Sequence, residues 1–214
     1  LNSITPYFTV NPNHAKMAAA NGVRPYLANE ATRLAEARKL LAKHGYNANN
    51  PLELTMLWGT PTNERRSGQA DLIVAAAAKA GIKVSSKPQV AWGGQLGLGK
   101  HDIQFFAWSQ TSTFFNSIRA LYGWDKETDK PRAQNYFGWK NLKAEEALSK
   151  HFGKLSEAER FNANLTFEKE YFADAIGLPI FQHPSVAAVN KGLKNIKPGP
   201  FSPNLVWNYW EWSW

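Results

Sequence analysis

Residues 51–86 read PLELTMLWGTPTNERRSGQADLIVAAAAKAGIKVSS, and the alternation within them decides the fold. LELTMLW (52–58) alternates apolar and polar side chains with the period of two that a half-buried strand needs. NERRSGQADLIVAAAAKAG (63–81) then changes period, and Ala70, Ile73, Ala77 and Ala80 fall on one helical face before Gly81 ends the run. IKVSS (82–86) returns to strand, AWGGQLGLGK (91–100) breaks regular structure with four glycines, and DIQFFAW (102–108) reads as a third strand. Strand, helix, strand in this order predicts a βαβ unit, hence an α/β fold with a mostly parallel sheet flanked by helices.

Working outward, residues 1–28 read as extended or irregular, with prolines at 6, 12 and 25. A helix is predicted over about 30–44, with Asn29 as its cap, Leu34, Ala37 and Leu41 on one face, and Gly45 as its stop. Beyond the third strand come a loop at Gln110–Thr113, a short helix in FFNSIRALY (114–122), and a turn at NYFGW (135–139). Two helices are predicted at about 141–152 and 156–174, the second opening on the capping box of Ser156 and Glu159. LPIFQ (178–182) and SVAAVN (185–190) read as strand. From Gly192 the chain carries Pro198, Pro200 and Pro203 and ends in VWNYWEWSW (206–214). Termini fray unless tied down, so four tryptophans at the terminus raise the question of what they pack against.

Composition narrows the function classes. The 214 residues are 43% hydrophobic and 20% charged, ordinary for a globular protein, with no apolar run near the ~18 residues of a membrane span. LNSITPYFTV opens without methionine or a visible signal peptide and reads as the start of a mature fragment or an excised domain. The absence of cysteine excludes disulfides, zinc–cysteine sites and thiol nucleophiles. The net charge of +8 is scattered, with Arg65-Arg66 its densest pair, and reads as a solvated surface before a nucleic-acid footprint.

Motifs for chemistry are sparse. GGQLGLGK matches neither GxxxxGK[ST] nor GxGxxG and reads as a turn, not a phosphate cradle. His14, His44, His101, His151 and His183 have no metal-ligand spacing, so no metal and no cofactor is expected. There is no GxSxG, and Glu145-Glu146 and Glu157/Glu159 read as solvated helix faces, so nothing supports an enzyme. Trp58 and Trp108 end predicted strands, where open α/β sheets bind ligands. Each precedes an uncharged polar segment, Gly59-Thr60-Pro61-Thr62-Asn63 and Ser109-Gln110-Thr111-Ser112-Thr113. A binding wall and plain core packing are both open readings of these tryptophans.

Several segments in order resemble a known family. They are EARKLLAKHGYN (36–47), residues 51–84, GKHDIQFFAWS (99–109), NYFGWKNLKAEEAL (135–148), residues 155–196, and WNYWEWSW (207–214). Together they resemble the solute-binding proteins of bacterial ABC importers, family 5, the oligopeptide, dipeptide and nickel class, and look most like actinobacterial versions. The resemblance implies a periplasmic-binding-protein-like lobe of type II, cluster C. Residues 1–192 would form the C-terminal lobe of a two-lobed protein, and 193–214 would return to the N-terminal lobe. It implies an extracytoplasmic, lipid-anchored or periplasmic protein whose anchor lies outside this chain. Such a protein passes a peptide or small solute to a membrane permease and binds no nucleic acid.

On that resemblance the cleft wall is Thr60, Asn63, Trp108, Ser109, Gln110, Thr111, Asn135 and Tyr136. Family members grip a peptide's amino group with a carboxylate in the loop after the strand-ending tryptophan. Here Thr111 stands about where that acid is expected, and a hydroxyl forms no charge-assisted pair. A longer or blocked peptide, or a neutral solute such as an oligosaccharide, becomes an alternative. Asn135 and Tyr136 read either as ligand-facing or as a turn with a packed tyrosine. Outside the family, a basic nucleic-acid module with tryptophan platforms and a hydrolase with a dispersed site are the competing classes.

Overall fold

A computed structural model describes residues 3–5, 7, 11–59, 62–99, 101–105, 116–150, 153–180, 186–199 and 205–214. The N-terminal stretch departs from the irregular reading: it holds helix α1 (His14–Ala20) and a 3-10 turn at Arg24–Leu27. HAKMAAA is alanine-rich and helix-favouring, and fully buried Met17 anchors it beside Tyr7 and Phe161. α2 (Glu30–Lys43) begins at Asn29, whose side chain accepts from Thr32 N at 2.9 Å. None of its residues is buried; it is fastened to the next helix by Arg38 donating to the Lys79 carbonyl and by the Lys79–Glu30 ion pair.

The predicted βαβ unit is present. β1 (Leu52–Gly59) leads through the Asn63 cap into α3 (Glu64–Ala80). Gly81, at φ +92°, supplies the left-handed turn that starts β2 (Ile82–Gln89) without a loop. β1 and β2 pair in parallel over their whole length, from Leu52↔Ile82 to Gly59↔Gln89. Side chains of alternate strand residues leave opposite faces. Met56, Trp58 and Val84 therefore meet Ala70 of α3 and Phe105 in one core cluster. Glu53, Lys83, Ser85, Lys87 and Gln89, of opposite parity, are exposed.

The glycine-rich stretch is more ordered than the sequence suggests: it forms α4 (Trp92–Gln95) and a 3-10 turn at Leu96–Leu98, closed by Gly99 at φ +56°. β3 (Ile103–Gln104) then joins the free side of β1, giving the parallel order β2-β1-β3. The remainder of the predicted third strand, 106–108, lies outside the described residues. The chain is thus α/β, with a parallel three-stranded sheet flanked by helices.

α5 (Asn116–Tyr122) is followed by a two-stranded antiparallel ribbon, β4 (Trp124–Asp125) and β5 (Lys130–Pro131). α6 (Leu142–Ser149) and α7 (Glu157–Ala173) complete the set, and the Ser156–Glu159 capping box is formed as predicted. Their core is aromatic: Trp139, Phe167, Tyr171 and Phe172 are buried together with Ala144, Ala147 and Leu148. α7 also carries a buried carboxylate, Glu168, which accepts from Ser3 Oγ at 2.5 Å, Thr5 N at 2.9 Å and Asn21 Nδ2 at 2.6 Å. These bonds fix the start of the described chain to α7.

The two strands read near the C-terminus are corrected. Residues 178–180 and 186–190 are not in strand, and 181–185 lie outside the described residues. Ile180 and Val186 are 55% and 89% exposed, and among the described residues no strand pairs with these segments. The tail instead closes on itself through an antiparallel bridge between Lys194 and Ser213. Its centre is buried Asn208, which donates to the Asn195 carbonyl at 2.8 Å and Glu211 at 3.1 Å and accepts from Trp212 Nε1 at 3.2 Å. Trp207, Tyr209, Trp210 and Trp214 are left exposed around it.

Candidate functional site

The carboxyl end of β1 is where an open α/β sheet offers a crevice. Trp58, the last large side chain before it, is 4% exposed and donates from Nε1 to Ser86 Oγ at 2.8 Å. It is a core residue tying β1 to β2, so core packing is the correct reading of this tryptophan. The next residue, Gly59, is buried against Trp92 of α4; a Cβ there would fall on the Cδ1, Nε1 and Cγ atoms of the indole. The guanidinium of Arg66, one turn into α3, lies over the same indole, 5.0 Å from its centroid. Burial, and then the neighbouring charge of Arg65, hold the Arg66 pKa below its ordinary value. The end of the strand is thus closed by a glycine, an indole and a half-buried cation.

Asn63 stands at this end, half-buried, with its side-chain oxygen accepting from Arg66 N at 3.1 Å. That bond caps α3 and aligns the turn carrying Arg66. Thr60, Trp108, Ser109, Gln110 and Thr111 lie outside the described residues. On the sheet face away from α3, a shallow concavity of about 100 Å³ is lined by Thr55, Leu57, Lys87, Gln89, Gln95 and His101. His101 Nε2 and Gln104 Oε1 are 2.8 Å apart at its margin.

The assignment of Asn135 to a cleft wall is corrected. Its side chain is 3% exposed; Nδ2 donates to the carbonyls of Gly123 and Trp139 at 3.0 and 2.8 Å, and Oδ1 accepts from Trp139 N at 3.1 Å. Both amide hydrogens and one acceptor direction of Oδ1 are used within the chain, and the residue clamps the 135–139 turn. Tyr136 is half-buried beside it and has a partner within the chain. Glu145 is corrected as well. It is 2% exposed, and its carboxylate accepts from Arg119 Nε at 2.9 Å, Arg132 Nη2 at 2.9 Å and Trp124 N at 3.0 Å. Burial alone would raise its pKa; the hydrogen bonds from Arg132 and Arg119 outweigh that and leave it below the ordinary value.

Sequence reasoning missed Arg66 and Trp92. The signal was a tryptophan beside two glycines and an arginine in the first turn of α3, but only the fold brings them together. Among the described residues no three His, Asp or Glu side chains converge on a metal-sized site.

The family model for bacterial extracellular solute-binding proteins, family 5 Middle, matches residues 4–131. The chain belongs to this family. Solved family 5 structures share the fold. NikA from Staphylococcus aureus, in complex with Ni(L-His)2, aligns with a TM-score of 0.60 and 19% identity over 78% of this chain and 35% of its own. The oligopeptide-binding protein AppA from Bacillus subtilis, in complex with a nonapeptide, gives 0.61 and 16% over 83% and 36%. Haemophilus influenzae OppA, in complex with RPPGFSPFR, gives 0.55 and 24% over 67% and 28%. This family 5 chain therefore spans about a third of the length of the solved proteins it matches. No curated protein matches it. Among its described residues, no helix is long and apolar enough to cross a membrane.

Proposed function

We propose that this family 5 chain is the C-terminal lobe of an exported solute-binding protein. It captures a peptide or peptide-like solute between two lobes, delivers it to an ABC permease, and performs no chemistry itself. The observation that carries the reading is the family match together with the built carboxyl end of β1, where Gly59, Asn63, Arg66 and Trp92 sit at the position open α/β sheets use for ligands. Relatives of this fold hold a nonapeptide and RPPGFSPFR, which favours a peptide. Thr60, Trp108, Ser109, Gln110, Thr111 and Tyr136 remain candidates for the wall.

The tail fits the same reading. Trp207, Tyr209, Trp210 and Trp214 present aromatic area around an internally bonded Asn208, as a surface does that a second lobe covers. Anchoring at the outer face of the cell membrane, by a lipid outside this chain, or a periplasmic location belongs to this proposal. So does the actinobacterial affinity.

An amide-resolved NMR titration of the chain with a mixture of tri- to pentapeptides tests the reading. Shifts confined to Gly59, Asn63 and their neighbours are expected. Shifts spread over α6 and α7, or shifts only with single-stranded DNA, would refute it.

A further inference from the structure

Asn21-Gly22 is the one Asn-Gly pair in the sequence, and the fold calls for both residues. Gly22 turns the chain out of α1 at φ +90°, a conformation that a side chain resists. Asn21 is fully buried and uses its amide as donor and acceptor: Nδ2 donates to Glu168 Oε2 at 2.6 Å, and Oδ1 accepts from Val23 N at 3.1 Å. Glu168 is fully buried on α7, and its other described partners are neutral donors, Ser3 Oγ, Ile4 N and Thr5 N. An ionised aspartate only accepts hydrogen bonds, so it cannot take the place of Asn21 against this carboxylate.

An asparagine followed by glycine is also chemically labile, because no side chain shields the glycine nitrogen. That nitrogen attacks Cγ of the asparagine. A C–N bond forms, the bond from Cγ to Nδ2 breaks, and Nδ2 leaves as ammonia with the proton of the glycine N–H. Water then opens the cyclic imide at one carbonyl or the other, giving aspartate or isoaspartate. The folded chain blocks the first step. Ring closure needs the Gly22 nitrogen to eclipse Asn21 Cβ, whereas at ψ −3° it eclipses the nitrogen of Asn21 itself. The amide is tied at both of its polar atoms, and the side chain is shut away from water.

We infer that Asn21 is a deamidation site guarded by the Glu168 network, and that its conversion is a one-way switch which unfastens residues 3–5 from α7. The product sets a carboxylate against Glu168 Oε2 where an N–H donor stood. Two buried like charges among neutral donors do not both stay ionised in place. An opening of α1 and the 3–5 segment that lasts long enough for ring closure is therefore recorded permanently. The inference is independent of the solute-binding reading.

The test holds the full 214-residue chain at mildly alkaline pH, in buffer and in urea, and follows every asparagine by peptide mapping that separates asparagine, aspartate and isoaspartate. In urea Asn21 is expected to convert fastest of all, and in buffer its rate should fall roughly a hundredfold, because reaction then waits on local opening. Glu168→Gln keeps the shape but replaces the carboxylate that holds Asn21. It should speed conversion in buffer about thirtyfold and leave the rate in urea unchanged. Asn21→Asp stands for the product, and hydrogen exchange at Ile4 and Thr5 should accelerate about thirtyfold in it while α6 keeps its protection. If Asn21 converts as fast in buffer as in urea, or a folded Glu168→Gln leaves the buffer rate unchanged, the guard does not exist and the inference fails. If Asn21→Asp protects Ile4 and Thr5 as well as the parent does, the switch fails. Should Glu168→Gln not fold, the buffer-to-urea ratio of the parent and the exchange of Asn21→Asp decide the question.

Discussion

Asn135 and Trp139 hold each other at both ends of one turn: Oδ1 of Asn135 accepts from Trp139 N at 3.1 Å, and its Nδ2 donates to the Trp139 carbonyl at 2.8 Å. A third bond runs to Gly123, beside the ribbon. Asn135→Ala removes all three and leaves buried backbone groups unpaired, which should cost about 2–3 kcal/mol. Urea denaturation reads the loss. The peptide-induced shifts at Gly59 should survive the substitution, since Asn135 is scaffold; their disappearance in a folded variant would return it to the binding wall.

Glu145 makes stability depend on pH. Its folded pKa is depressed, so its contribution is present above the ordinary value of 4.5 and lost as pH falls through the folded value. Glu145→Gln should destabilise by about 3 kcal/mol at pH 7, because two partly buried arginines lose their counter-charge. The gap between parent and variant should narrow as pH falls below 4.5. A gap that widens on acidification would contradict the assigned sign.

Gly59 and Trp92 should be energetically coupled. Gly59→Ala forces the indole off the strand backbone, and overpacking of this kind costs about 1–3 kcal/mol. In a Trp92→Ala background the same change should cost little. A double-mutant cycle with no coupling energy would show that the two residues do not press on each other.

Asn208 organises the tail. Asn208→Ala removes its bonds to Asn195, Glu211 and Trp212 and should lower the local stability of residues 205–214 by about 2 kcal/mol. Hydrogen exchange at Lys194 and Ser213, joined across the bridge, should accelerate about thirtyfold, while α7 is unaffected.

A single lobe of the proposed two-lobed protein supplies half a cleft and should bind weakly. Calorimetric titration of this chain with a tripeptide should give a dissociation constant no tighter than about 1 mM. Micromolar binding would mean that the chain holds a complete site.

The parts of the fold legible in the sequence are those with local causes. Alternation in LELTMLW, the helical face of Ala70, Ile73, Ala77 and Ala80, and the stop at Gly81 act within a few residues, and β1, α3 and β2 formed where they pointed. Long-range causes were not legible. Glu145 reads as solvated until Arg119 and Arg132 reach it from 26 and 13 residues away. Residues 186–190 alternate like a strand, but strand needs a neighbour to bond. Asn135 drew a ligand reading because a polar residue in a turn is ambiguous until its three partners are known. Arg66 and Trp92 meet only because β1 and β2 run in parallel and bring α4 back across Gly59.

The central proposal is that this family 5 chain belongs to a protein that captures peptides. Native mass spectrometry of that protein, isolated without denaturation from cells that make it, tests this most directly. The account predicts a bound, heterogeneous set of peptide masses. A single non-peptide mass, or bound nucleic acid, would contradict it.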